Sequence, residues 1–264
     1  MEMSKQNKVL FRCSRLGDLM TGLTVLTEKQ KDLMNVYTER QNGKGKPLTE
    51  NMLIEYGKLL EKSKNTDISE TTKTFVLDTF LKREFGYEET ITSDAMMKGL
   101  LLESDAIALV SKHENTFYKK NKERKSNDYV MGELDVKAGD HIKDIKVSKD
   151  LKTFMKVSDV LKNYYWQAQG YMWLWGIHKY SLTYVLLPNT EEMIERQCSR
   201  LSFHLVGEDY EIAKEQIIHN NKLIEKLPVE LRIKTFEFSY NEDDIDLLKE
   251  QIERARIYYS QIKL

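Results

Sequence analysis

Asp135, Asp144 and Lys146 are the residues whose types and spacing most directly suggest chemistry. They lie between Gly132 and Val147, a stretch that reads as a β-hairpin. Its first arm alternates, with Val130, Gly132, Leu134 and Val136 on one face; Ile142, Asp144 and Lys146 share a face of the second arm. Gly139-Asp140 supplies the turn, because glycine provides the positive φ that two-residue hairpin turns need. Ala138 then faces His141, and counting back sets Asp135 directly opposite Asp144. Side chains so paired have Cβ atoms roughly 4.5–5.5 Å apart, and like charges there repel. A divalent cation would remove the conflict, with the Lys146 ammonium about 6.6 Å further along the same face. A metal site with a positioned lysine and a solvated strand face of mixed charge are both open readings.

Two polar residues interrupt apolar helical stripes. Met96, Leu100, Glu103, Ile107 and Val110 share one face of a helix that Ser93 opens. A carboxylate in that position needs a partner, either a core cation or a metal. Val160, Tyr164, Gln167, Tyr171 and Leu174 form a similar stripe on a helix from Ser158 to Gly176, and a buried amide likewise needs partners. Ser14 reads as the N-cap of a helix through Leu16, Leu19 and Met20, which places Arg12 and Ser14 at a helix mouth that favours anions. A plain cap beside a surface arginine explains the same residues.

The remaining elements must position these groups. Thr27, Thr49 and Ser69 open three further helices, and Thr27 with Gln30 forms a capping box. Residues 180–187 read as a strand, 190–226 as helix broken near Gly207, 231–240 as a strand, and Asn241 caps a last helix. The sum is α+β: a small mixed β-sheet flanked by helices, in one domain over residues 1–264 with a helical insertion at about 27–86. With 31% charged and 41% hydrophobic residues among 264, the chain has the composition of a globular protein. A net charge of -1 announces no overall basic field, although Lys119–Lys125 is locally basic. Cys13 and Cys198 have no zinc or iron–sulfur spacing and suggest reduced thiols in a cytoplasm. Neither a secretory leader nor a membrane span is expected.

Glu103 on a helix, Asp135 and Asp144-x-Lys146 on a hairpin, and Gln167 with Tyr171 on the next helix resemble, in order and spacing, the PD-(D/E)xK nuclease superfamily. More closely, the chain resembles the lambda-exonuclease and YqaJ-like viral recombinase family of phage alkaline exonucleases. The segments from Phe11 to Thr21, Lys98 to Glu103, Lys120 to Lys146 and Tyr165 to Met172 carry the likeness. Leu134 stands where the family usually has proline before its first hairpin aspartate, and Asp144 where many members have glutamate. Gln167 rather than Gln169 is matched to the family glutamine, because it shares a face with Tyr171.

The resemblance implies a restriction-endonuclease-like core. It also implies a metal-dependent exonuclease that digests one strand of linear duplex DNA from 5′ to 3′, for phage-type recombination by single-strand annealing. Glu103, Asp135 and Asp144 would hold Mg²⁺ or Mn²⁺, with the Ile145 carbonyl a further ligand. Lys146 would orient or deprotonate the attacking water. Gln167 would fix the water, the lysine or DNA, with Tyr171 supporting it. Arg12 and Ser14 would form a pocket for a terminal 5′-phosphate. The implied partners are DNA ends, a single-strand-annealing protein and further copies in a ring trimer. The alternatives are a nicking or structure-specific endonuclease of the same fold and an inactive DNA-binding scaffold; the intact Asp135, Asp144 and Lys146 argue against the scaffold.

Overall fold

The computed structural model describes residues 8–22, 26–64, 67–88, 90, 93–158 and 162–263. The chain begins with a short strand β1 (Phe11–Arg12), a 3-10 turn and a single helical turn α1 (Leu16–Leu19). Helices α2 (Glu28–Gln41), α3 (Glu50–Lys64), α4 (Glu70–Phe85) and α5 (Asp94–His113) follow. Their starts obey the side-chain caps: Thr27 and Gln30 form the reciprocal box, and Ser69 and Ser93 accept from the third residue beyond them. Strands β2 (Lys125–Ser126), β3 (Val130–Gly132), β4 (Val136–Ala138) and β5 (His141–Val147) come next. Then come α6 (Leu151–Lys156), α7 (Lys162–Trp175), β6 (Lys179–Val185), α8 (Glu191–Leu201), α9 (Glu208–Lys226), β7 (Ile233–Ser239) and α10 (Glu242–Gln261).

The expected single sheet is two sheets. One has three strands in the order β1-β3-β2, and the other has four in the order β4-β5-β6-β7. β5 and β6 run parallel in the second sheet, with β4 and β7 antiparallel at its edges. The first arm of the hairpin is therefore not one continuous strand: β3 pairs with β1, while β4 pairs with β5. The expected helix from Ser158 also differs. Asp150 caps the short α6, Ser158 lies beyond it, and α7 begins at Lys162; Val160 lies outside the described residues.

Alternation on β5 and β6 divides the interior. Ile142, Tyr180, Leu182 and Tyr184 join the main core with α1, α4, α7 and α10, whereas Ile145 and Val185 pack on α5 through Leu102, Ala106 and Val110. The helices α2 and α3 bury a separate small cluster around Tyr37 and Leu59.

Helix α5 contradicts the hydrophobic stripe. Ile107 and Val110 are buried, but Met96 is 60% and Leu100 71% exposed, while Lys98 is 3% exposed. The first turns of α5 overrun the ends of β5 and β6, where carbonyls outside the ladder need donors. Lys98 Nζ donates to the carbonyls of Leu187 (2.7 Å) and Lys149 (3.0 Å). Removing the ammonium leaves those acceptors without a partner, so Lys98→Met should cost about 1–3 kcal/mol. Leu100→Ala should stay within about 0.5 kcal/mol. Urea midpoints in the reverse order would contradict this account of α5.

Candidate active site

The site begins with a turn. Gly139 has φ +61°, and the ladder pairs Ala138 with His141 and Val136 with Lys143. One step further, Asp135 stands across from Asp144 in the register that the sequence suggests. Asp135 is outside the ladder, at the bend between β3 and β4. Gly132 permits a close approach just before that bend: a β-carbon there would stand 2.7 Å from Tyr171 Cε1 and 3.3 Å from Cys13 Cβ. The Tyr171 hydroxyl donates to the Glu133 carbonyl at 2.9 Å, and the Asn121 amide to the Asp135 carbonyl at 2.7 Å. Helix α7 thus presses the strand into a bend that turns the Asp135 side chain toward β5.

Asp144 is 3% exposed. Its Oδ2 accepts from Gln167 Nε2 at 2.6 Å and from the Tyr180 hydroxyl at 2.7 Å. Its Oδ1 lies 2.6 Å from Lys146 Nζ, a contact ion pair. Asp135 Oδ2 accepts from the Ile145 amide at 3.1 Å and lies 4.0 Å from Lys146 Nζ. The Asp135 side chain is 26% exposed and so forms the open side of the pair.

These surroundings separate the two carboxyls. Burial first, and then the charge of Asp144, push Asp135 well above the ordinary range. Burial pushes Asp144 upward too, but the Lys146 charge and the hydrogen bonds to its oxygens outweigh it and hold the carboxyl below its usual value. Burial opposes the Lys146 ammonium, yet Asp144 and Asp135 together raise it above the ordinary lysine range. Without a bound cation, Lys146 is therefore a counter-ion rather than a base.

Glu103 does not join the pair directly. It receives a short hydrogen bond from Lys120, whose ammonium also feels the charges of Asp135 and Glu133. Among the described residues, no three His, Cys, Asp and Glu side chains converge closely enough to hold a metal. The two aspartates and the Ile145 carbonyl remain. These are oxygen donors, and a buried carboxylate oxygen met only by the Lys146 ammonium beside a second carboxylate suits a hard divalent cation.

Gln169 lies away from the pair: its side chain donates to the Ser239 carbonyl and accepts from the Asn241 amide. Tyr180 has no counterpart in the sequence reading. It takes part because β6 lies parallel to β5 with Tyr180 beside Ile142, a pairing that no local pattern announces. Ser14 is not a cap. It sits exposed inside the 3-10 turn Cys13–Arg15, and the four residues of α1 begin at Leu16 without a side-chain cap. Arg12 extends from β1 opposite Met131, in the strand pair that leads to Glu133 and Asp135.

No family model matches the chain, and no curated protein matches it by sequence. Solved structures do match. A phage-related exonuclease from Haemophilus somnus 129PT is 23% identical, with a TM-score of 0.66 over 96% of this chain and 95% of that one. An alkaline exonuclease from Laribacter hongkongensis is 11% identical, with a TM-score of 0.55 over 97% and 90%. The chain has the fold of these exonucleases. The Laribacter enzyme in complex with dAMP also superposes, at 12% identity and a TM-score of 0.51 over 97% and 88%.

The unequal carboxyls give opposite expectations for two similar substitutions. A raised folded-state pKa at Asp135 means that its effect on stability becomes unfavourable as pH rises above the unfolded value. A lowered one at Asp144 contributes stability above that value and loses it as pH falls. At pH 7.5 in EDTA, Asp135→Asn should therefore raise stability, by on the order of 1 kcal/mol, since its amide can donate to Asp144. Asp144→Asn should lower it. Thermal melts in which both variants gain equally would show that the repulsion is shared.

Proposed function

We propose that the protein is a metal-dependent deoxyribonuclease of the lambda-exonuclease type, degrading one strand of linear duplex DNA from its 5′ end. The observation that carries this reading is the pairing of Asp135 with Asp144 beside Lys146, at one edge of a sheet in a fold shared with exonucleases. The crystallised complex of the Laribacter enzyme with dAMP adds that a protein of this fold accepts a nucleotide.

Asp135, Asp144 Oδ1 and the Ile145 carbonyl would hold the cation, Mg²⁺ or Mn²⁺, with Glu103 as a further carboxylate when Lys120 releases it. When bound, such a cation acts as a Lewis acid on the phosphate and lowers the pKa of bound water. Gln167 and Tyr180 grip Asp144 Oδ2, so Oδ1, now paired with Lys146 at 2.6 Å, would be the oxygen that turns to the cation. Tyr171 and Gly132 hold the bend that places Asp135. Lys146 orients the attacking water; once the carboxylate charges are offset, its ammonium loses the support that keeps it protonated and the amine serves as base. Arg12 binds a terminal 5′-phosphate from β1, and Ser14 stands exposed nearby. This reading places the enzyme in phage-type recombination with a single-strand-annealing protein, as copies assembled around DNA. No helix among the described residues is long and apolar enough to cross a membrane.

Linear duplex labelled at either end, with and without a 5′-phosphate, tests this directly. Mg²⁺ should release the 5′ label first, and a covalently closed circle should survive. Lys146→Ala should slow release by about 10²- to 10⁴-fold, the range of a lost general base, while calorimetric metal binding persists. Cutting of closed circles, or release of the 3′ label first, would replace this reading with an endonuclease or the opposite polarity.

A further inference from the structure

A groove of 680 Å³ lies between β1, the second half of α4 and the residues after it, bounded by Arg12, Arg15, Phe75, Lys82, Tyr87 and Met131. Arg12 and Met131 are register partners, so the groove abuts the strand pair that leads to the carboxylates. Its cations are not equivalent. Arg15 is committed: it bonds Asp18 at 2.8 Å and Asp78 at 2.9 Å and lies 4.5 Å over the Phe75 ring. Lys8, at the rim, pairs with Asp128 at 3.7 Å, and Arg83 with Glu84 at 3.7 Å.

Arg12 and Lys82 behave differently, because both turn to a single carboxylate oxygen. Glu88 Oε1 lies 3.7 Å from Arg12 and takes a short hydrogen bond from Lys82. Glu88 comes from the segment after α4, beyond the left-handed Gly86 that ends the helix. Hydrogen bonding by Lys82, and to a lesser degree the Arg12 charge, hold the Glu88 carboxyl below its ordinary range despite the partial desolvation that opposes them. All three side chains are accessible, with Arg12 and Lys82 each 40% and Glu88 58% exposed. One carboxylate thus faces two cations, which leaves the cluster one positive charge in excess. A terminal phosphate carries about -1.5 to -2 charges and three acceptor oxygens, and so matches the two cations better than the carboxylate does.

We propose that Glu88 is a displaceable stand-in for the terminal 5′-phosphate of DNA, held in this groove by the two cations that turn to it, Arg12 and Lys82. The proposal rests on the exonuclease reading and adds Lys82 as a phosphate ligand and Glu88 as the anion that the phosphate must replace. Glu88 thereby sets how strongly the protein prefers phosphorylated ends. Because accessible ion pairs are weak, the exchange is readily reversed.

The test uses the full chain in EDTA, where nothing is cut, and fluorescent duplexes bearing either a 5′-phosphate or a 5′-hydroxyl. The readout is the ratio of their dissociation constants, which cancels the general effect of a changed net charge. Glu88→Gln and Glu88→Ala should both raise the preference for the phosphate, by up to about 5-fold. Lys82→Met should lower it by about 10-fold, the loss of one charge-assisted bond at a half-exposed site. A wild-type preference that Glu88→Gln leaves unchanged or weakens would show that Glu88 organises the pocket instead, and would overturn the proposal alone. Indifference of the wild type to the 5′-phosphate would remove the end-recognition reading together with it, whatever the cleavage assay gives.

Discussion

Asp135 and Asp144 face each other across a hairpin with like charge, and most of the contacts around them serve to hold that arrangement. A hairpin left to itself would relieve the repulsion by fraying or slipping. Here the Gly139 turn fixes the register from one end. Tyr171 and Gly132 fix the bend at the other end, and the Ile145 amide holds Asp135 from within the partner strand. The cost is concentrated on one member: Asp144 has the closer and more numerous partners, while Asp135, with only the Ile145 amide and a looser Lys146, carries the repulsion and the opening to solvent.

Burying Asp144 is tolerable because its charge is met at short range by three groups from three different elements. Lys146 comes from its own strand, Gln167 from α7 and Tyr180 from the parallel neighbour β6. The Tyr180 phenol is itself fully buried, and burial followed by the Asp144 charge keeps it protonated and able to donate. Removing any one donor leaves a buried carboxylate less well met, which is costlier than losing a surface contact. The sheet order therefore matters for chemistry as well as for shape, since only the parallel pairing of β5 with β6 brings the tyrosine alongside.

What could be read from the sequence was what is local. The hairpin turn, the opposition of Asp135 and Asp144, and the phase that brings Gln167 rather than Gln169 to the pair all follow from periods of two and of 3.6 residues. The helix caps at Thr27, Ser69, Ser93 and Asn241 are equally local. The division of the first arm into two strands was not legible, because β3 pairs with β1 and packs close to Tyr171 and Cys13, all far away in the chain. The Tyr180 contact depends on a strand pairing across two intervening helices. Burial of Lys98 in place of Leu100 depends on where two strands end beneath α5. Ser14 failed as a cap because the chain enters α1 through a 3-10 turn, a choice that one serine does not determine.

The charges on the two sides of β3 show one physical pattern. At the hairpin, Lys146 stands against Asp144 and, more loosely, Asp135, while Lys120 covers Glu103; each carboxylate has an ammonium near it. At β1 and α4, the sign is reversed: two cations share the one carboxylate of Glu88. Unpaired like charges crowded into a cleft would repel and open it, and on the proposed reading these side chains stand in for a cation on one side and a phosphate on the other. Such pairs are useful only if they yield to the true ligand. The ones at Glu88 and Lys120 are at least partly exposed, where ion pairs are weak, whereas Asp144, Gln167 and Tyr180 are buried and hold one another in place. Exchangeable charge at the edges and rigid charge at the centre is the division of labour that the proposed exchange of ligands would need.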